Sequence, residues 1–559
     1  MTGRSFRPWV VGSLLVAGCT GTIGGDESGG PGGDLPRSTP TDFVCNPNLV
    51  PETLPARRLS ERQYRNSVEA LVRFALPSQA EEAVVSVAGS LDLVVPDALT
   101  GEDLHYARFS RRDQGVAQDH ADAYHDVGVA VGLALTETDA ALGESVGPCA
   151  TDGDASNDED CLAEFIRRFG GRALRRPITA DDVAFYRRVA APAAPVVRED
   201  YADVLTVLLN SPYFLYFSEY GYPASEAPQE RLGAYAIASR LSYHFWQTLP
   251  DEALLAAAAD GSLLTDEGYE EQLRRVFQDP RTRDSLREFF GQWLDNTTLE
   301  ELDVRIGVSA YDTIRGELTP SPDLRNAMRD EVIDAAVYYT LDQPGTFQDF
   351  FRSDLSFARS EELAAIYGVV PWDGVSAPPA LNDRSGLLSR GMFVATGTTN
   401  TRPIMKGVLI RKAILCDTVQ PAPPDAPTEV DLQPGMSNAE RIEELTGSGS
   451  CATCHVMING LGFVSEDFDP LGRSRTEERL VDATTGEVIE SVAISTTAIP
   501  RVELADETEV RGIDGLTEQM LASDKPYACF ARRYLQFTFG RIEDLDRDAC
   551  ALEGVMEFA

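Results

Sequence analysis

Five consecutive residues carry the sharpest chemistry in this sequence: Cys451, Ala452, Thr453, Cys454 and His455. Two cysteines two residues apart, followed at once by histidine, form the attachment pattern of a c-type haem. Each thiol can add across a haem vinyl group as a thioether, and the imidazole can ligate the iron on one face. The spacing suits one helical turn, which sets the sulfurs about a turn apart and directs the next side chain toward the ring. With nine cysteines and five histidines in 559 residues, chance would give the pattern about 0.001 times. Two other chemistries use such a cysteine pair, a redox dithiol and half of a zinc site. Zinc wants a second Cys or His pair, and none follows before Cys529.

The opposite face of the iron needs its own account. Met457 lies two residues after His455 and shares its segment, whereas Met392, Met405 and Met436 lie upstream. Met405, in the Pro403-restrained run 401–407, is the first candidate for a distal ligand. A methionine there raises the potential and favours electron transfer; an open position favours peroxide or oxygen chemistry. The bland and more common reading of each methionine is core filler. Arg402, Lys406, Arg473 and Arg475 are the basic groups suited to fork haem propionates, with a solvated surface as the alternative.

Other residues with chemical potential carry blander readings. His244 shares a helical face with Ile237 and Leu241 and reads as a hydrogen-bonded core histidine. His105, His120 and His125 sit in an Asp-rich stretch and read as surface residues, the last two missing the i, i+4 spacing of a helical metal pair. The run 152–160 alternates oxygen ligands like part of a calcium loop, but lacks the sixth-position glycine and twelfth-position glutamate. Bracketed by Cys149 and Cys161, it reads as a disulfide-closed acidic loop. No Gly-rich phosphate loop, Gly-x-Ser-x-Gly elbow or His-Glu-x-x-His helix occurs. The many carboxylates single out no glycosidase pair.

The elements that must position these residues read as mainly α: several helical domains, the haem-binding segment, and a small β-hairpin insert near the C-terminus. Length alone suggests three to five domains. Ser60 and Gln63 form a capping box, and Tyr64, Val68, Leu71, Val72 and Ala75 then share one helical face. Helices are expected within 161–220, from 230, over 265–295 and 324–341, and as a last pair within 516–540. Thr179 starts one, 249–251 breaks another, and Gly261 can end the helix that follows. The β-formers of 479–494 alternate about the turn 482–486, a hairpin. The ranges read as follows: 1–19 signal peptide, 20–51 tether, 52–140, 145–222 and 228–360 three helical domains, 380–478 haem-binding domain, 479–559 hairpin plus C-terminal helices.

The N-terminus points to export. Arg4 and Arg7 precede an apolar run, 9–17, too short to span a bilayer but long enough for a signal peptide. It ends in Leu15-Val16-Ala17-Gly18-Cys19, which resembles a bacterial lipobox, with Cys19 acylated as the first mature residue; an ordinary cleaved signal is the alternative. The Gly-, Pro-, Ser- and Thr-rich stretch 20–51 reads as a flexible tether. The expectation is an exported protein, lipid-anchored in the periplasm or at the outer membrane or cell surface, touching membrane through lipid only. Net charge −40 and a pI near 4.4 oppose nucleic acid and anionic membrane as partners; they suit solubility or steering of a basic redox partner. With Cys19, Cys451 and Cys454 set aside, six cysteines suggest three disulfides. Six allow 15 pairings. The local pairs Cys149–Cys161 and Cys529–Cys550 are expected, with Cys45–Cys416 by default.

The order of segments resembles a family. The run 57–68, the run from Phe169 through Arg175-Arg176-Pro177 to 209–216, and 238–246 with Pro250-Asp251 and Leu254-Leu255 resemble its first three domains. Gly386-Leu387-Leu388 through Pro403 and Lys406-Gly407, Cys451–His455, Gly462-Phe463 to Glu466, Phe468-Asp469 and Gly472-Arg473 resemble its haem-binding domain; Gly540-Arg541 falls in the last. The resemblance is to the planctomycete-type multidomain c-type cytochromes, exported proteins also found in myxobacteria, and covers nearly the whole mature chain. It implies one covalent haem c, extracytoplasmic electron transfer with a redox partner protein, or service to surface polysaccharide. A haem-dependent oxidoreductase and a carbohydrate-binding protein with structural haem are the alternative activities. The family favours arginine where Lys406 stands, and an aromatic or aliphatic residue where His244 stands.

Overall fold

The computed structural model of the chain describes residues 38–49, 56–100, 108–190, 195–217, 232–422 and 434–558. The expected leader with Cys19, and His105, lie outside them.

The Glu61–Ala75 helix starts as its residues dictate. Ser60 Oγ accepts the Gln63 N–H and Gln63 Oε1 accepts the Ser60 N–H, both at 3.1 Å. Its whole apolar stripe, Tyr64 to Ala75, is buried. It packs with Ala80–Leu91 and Asp158–Ala173, and the Gln118–Thr136 and Arg198–Leu209 helices pack on one another. Together they enclose an apolar cluster running from Leu59 to Leu249. The 249–251 break is followed by the Glu252–Ala259 helix, and Gly261 takes a left-handed φ of 80° after it. Pro280 divides the next expected helix in two, Asp266–Gln278 and Thr282–Trp293, because proline lacks the N–H the ladder needs.

The larger cluster begins with Phe109 and Phe289 and runs through Leu324, Leu387, Leu461 and Val481 to Leu521. It therefore passes beneath the Leu324–Val337 helix, the segment that resembles a haem-binding domain, and the hairpin alike. All described residues belong to one compact unit, Pro36–Ala559. The hairpin forms as expected, Glu477–Val481 antiparallel to Val488–Ala493. Its turn is held by Asp482, whose Oδ1 accepts the N–H groups of Thr484 and Thr485 at 2.9 and 2.7 Å. Thr497–Ala498 and Val510–Arg511 make a second small sheet.

The structure corrects the sequence reading at two places. Residues 38–49 are fastened to the body, not the end of a free tether. The Thr39 N–H donates to Asp417 Oδ1 at 2.7 Å, and Phe43 is buried among Ala528, Leu535 and Leu552 of the C-terminal helices. Composition marks this stretch as unable to fold alone; it docks instead on a core already built. The second correction is disulfide pairing. Cys149–Cys161 forms as expected, but the other bridges are Cys416–Cys529 and Cys45–Cys550, not Cys529–Cys550 and Cys45–Cys416. Cys529 is fully buried in the Lys525–Phe539 helix, which meets the Ile410–Ile414 turn. Cys550 belongs to the Ala549–Phe558 helix, whose apolar side shares a cluster with Phe43. Nearness in sequence lost to the different neighbours the two helices serve.

Candidate functional site

The Asn438–Thr446 helix opens on a capping box of Ser437 and Glu440. It leads through Gly447 and Ser448 into the short Gly449–His455 helix, which carries the whole Cys451–His455 motif. No residue of that helix is buried. Cys451 is exposed and Cys454 partly so, and both thiols are free while the other six described cysteines are bridged. Apolar side chains nearby also face solvent: Val456 is 47% and Leu445 42% exposed. A helix that presents two free thiols, an imidazole and apolar neighbours outward suits a flat apolar group bound from outside.

His455 is not loosely held. Its Nδ1 lies 3.1 Å from Asn459 Oδ1, one helical turn on. The Asn459 amide donates to Glu443 Oε2 at 3.1 Å and Thr446 Oγ1 at 2.8 Å. A carboxylate only accepts, so Glu443 obliges Asn459 to turn its NH2 that way and its oxygen toward the imidazole. In the neutral imidazole Nδ1 then carries the proton, leaving Nε2 as a bare lone pair. That is the tautomer an iron ligand needs, set by a second layer of residues. The residues present therefore fit a c-type haem: two thiols for thioethers and one pre-set imidazole nitrogen. Among the described residues no three His, Cys, Asp or Glu side chains gather to hold a metal ion, and a haem iron needs only one of them from this segment.

The motif is braced from below. The Pro403–Leu409 helix packs closely on Asn459–Phe463. A Cβ on Gly462 would overlap the Pro403 carbonyl, and one on Gly407 the Ile458 carbonyl. Glycine at both positions is thus a requirement of backbone contact. Beneath lies a buried polar network. Glu466 accepts from Thr401 Oγ1 at 2.6 Å and Arg475 at 3.2 Å, with the Lys406 ammonium 3.7 Å away. Asn438 donates to the Thr401 carbonyl at 2.9 Å and, through its N–H, to Glu478 at 2.9 Å. Burial lowers the pKa of Lys406, against the pull of Glu466, and raises those of Asp467 and Glu478.

The remaining sequence candidates fall as follows. Met405 is 38% exposed on the Pro403–Leu409 helix, whereas Met392 and Met457 are buried. Met392 belongs to the main core. The propionate candidates each meet a carboxylate of the chain: Arg402 with Glu300 and Arg473 with Asp469, both at 2.7 Å, and Lys406 with Glu466. His244 bonds Tyr534 at 2.8 Å, as a satisfied histidine should. Burial, with a smaller push from Arg57, lowers its pKa to about 4. His125 is exposed, and His120 accepts the Ala117 N–H at 3.3 Å. In the acidic loop, Asp152 and Asp154 bond the backbone of Asp154 and Ser156. Sequence reasoning missed Asn459, Glu443 and Glu478; the i, i+4 relation of Asn459 to His455 was the available signal.

Three family models match the chain. Residues 161–219 match PSD5, a family of unknown function (DUF1595); residues 232–369 match PSD4 (DUF1592); residues 384–478 match PSCyt3 (DUF1588), also of unknown function. No curated protein and no solved structure gives a significant match. The PSCyt3 segment contains both glycine contacts and the whole Cys451–His455 motif. By these three matches and their order, the chain belongs to the multidomain family of planctomycete cytochrome-associated proteins.

Proposed function

We propose that this chain is an exported, lipid-anchored monohaem c-type cytochrome that carries electrons outside the cytoplasm. One observation carries the reading: two free cysteines share an outward-facing turn with a histidine whose Nε2 is left bare by the Asn459–Glu443 relay. Cys451 and Cys454 would hold the ring through thioethers, and His455 Nε2 would be the nitrogen offered to its iron. Haem c supplies reversible one-electron chemistry when bound. The chain's part is positional. Asn459 keeps the Nδ1 proton in place, and the glycine-paired helices keep the motif from shifting. The surface position of the Gly449–His455 helix leaves the redox centre within reach of another protein. Net charge −40 suits a basic redox partner, with a capture rate that falls as salt rises. Cys19 provides the lipid attachment, and three disulfides agree with an exported protein.

The test is a haem stain and pyridine haemochrome spectrum on chain exported by a host with cytochrome c maturation. Covalent haem is expected, and it disappears in Cys451→Ala/Cys454→Ala. Folded, exported protein without covalent haem would refute the reading. A low-spin six-coordinate spectrum goes with the carrier, Met405 being the first distal ligand to mutate; a high-spin spectrum altered by peroxide replaces the carrier by an oxidoreductase. Incorporation of labelled fatty acid, lost in Cys19→Ala, tests the anchor.

A further inference from the structure

In a chain with 89 acidic and 49 basic residues, one cavity of about 350 Å³ is walled, among the described residues, by five arginines and no carboxylate. They are Arg57, Arg58, Arg112, Arg240 and Arg541. The walls come from distant parts of the chain: the entry to the Glu61–Ala75 helix, residues 109–114, Phe217, the Ala234–Trp246 helix, and the end of Lys525–Phe539 with the turn beyond. No residue of the Cys451–His455 segment takes part.

The guanidinium groups are held in place by the walls. Arg57 lies over the Phe217 ring at 4.1 Å and donates to the Thr538 carbonyl at 3.3 Å. Arg240 and Arg541 lie over Phe539 at 5.5 and 5.7 Å. Arg58 donates to Tyr124 Oη at 2.8 Å. The balancing carboxylates stand outside the lining. Arg541 forks Asp548 with both bonds at 2.7 Å, and Arg112 faces Glu288 at 3.5 Å and Asp97 at 3.8 Å. The Arg58 side chain is only 3% exposed, yet its Nε has no acceptor among the described residues. A buried guanidinium N–H without an acceptor is costly, and crowded cations around a small cavity repel. Both costs are relieved by an anion. The rest of the lining states what else the ligand carries. Phe109, Phe217, Phe537 and Phe539 offer ring faces and edges, and Gln63, Gln114 and Gln247 offer amides. The volume suits a single ring with its substituents.

We propose that this cavity binds a small organic anion, a single ring bearing a carboxylate. The arginine fork matches a planar carboxylate through paired hydrogen bonds, and the aromatic walls take the ring. A neutral apolar ring would leave the buried Arg58 Nε without an acceptor, and a cation would be repelled.

The test titrates the full chain, by calorimetry, with benzoate, glucuronate and inorganic phosphate, with glucose as the neutral control. Saturable one-site binding of a ring carboxylate is expected at a Kd of about 1 mM or tighter, weakening with salt, with glucose silent. Benzoate and glucuronate distinguish an aromatic from a sugar source of the same carboxylate. Arg57→Gln and Arg240→Gln should each weaken binding by about tenfold or more while leaving the ligand-free thermal midpoint near wild type. Should a variant fail to fold, protection of the cavity arginines from phenylglyoxal by the bound probe, read by peptide mass on wild type, gives the same answer. No saturation by either ring carboxylate at about 10 mM, or phosphate alone binding, overturns the proposal. So does affinity unchanged in both folded variants, or arginines left unprotected by a saturating probe.

Discussion

Which imidazole nitrogen of His455 is engaged is decided by Glu443, two hydrogen bonds away through Asn459. Asn459→Leu keeps the size and removes the relay. The imidazole should then populate both neutral tautomers, read as nitrogen chemical shifts in histidine-labelled protein; shifts identical to wild type would show that the relay sets nothing. The lost hydrogen bonds should also cost about 1–3 kcal/mol of stability. His244 makes the opposite case, a histidine kept from chemistry. Burial pushes Tyr534 up to about 12, so its hydroxyl stays protonated and can donate to Nε2 of a neutral His244. The His244 pKa is depressed to about 4, below the ordinary value near 6.5. Between these values the unfolded chain takes up a proton that the folded chain refuses, so stability falls as pH drops through that window and is fully present above it. His244→Phe removes this linkage. The thermal midpoint of wild type should therefore lose ground to His244→Phe from about pH 6.5 down to about pH 4. A constant difference between the two would contradict the buried neutral histidine.

At the scale of elements, the haem-motif helix depends on a contact it does not itself make. The Pro403–Leu409 and Asn459–Phe463 helices touch through backbone, and neither can recede, because Leu409 and Leu461 are anchored in the main core. Gly462→Ala should lower stability by about 1–3 kcal/mol, the usual cost of overpacking a rigid contact. Chemical denaturation measures it, and a cost below about 0.5 kcal/mol would mean that the helices can part. The buried network of Thr401, Glu466, Asn438 and Glu478 lies under the motif and ties the entries of the Pro403–Leu409 and Asn438–Thr446 helices to the chain leaving Asn459–Phe463 and to the hairpin.

Across the whole molecule, Asp417 joins the two ends of the chain. It accepts from the Thr39 N–H, from Arg411 at 2.8 Å and from Lys525 at 3.1 and 3.2 Å. All three charged side chains are buried. Asp417→Asn leaves two cations in the interior with their shared carboxylate gone. A loss of roughly 3–5 kcal/mol is expected, the cost of an uncompensated buried charge. Limited proteolysis should then cut first within 38–49, which loses its clamp; a digestion pattern like wild type would argue against this role. The neighbouring bridges Cys416–Cys529 and Cys45–Cys550 close the same junction covalently.

What was legible from residues alone is what short-range chemistry controls. The Ser60 and Thr179 caps, the Glu61–Ala75 stripe, the Asp482 turn, the Cys149–Cys161 loop and the Cys451–His455 motif are each set by residues close together in the chain, so spacing reveals them. The remaining features depend on contacts between separate elements that spacing along the chain does not reveal. Pairing Cys45 with Cys550, docking Phe43, setting Glu443 behind His455 and gathering five arginines around one cavity all require knowing which helix faces land together. That outcome belongs to core packing, where apolar burial decides the arrangement and polar side chains take the neighbours it leaves them.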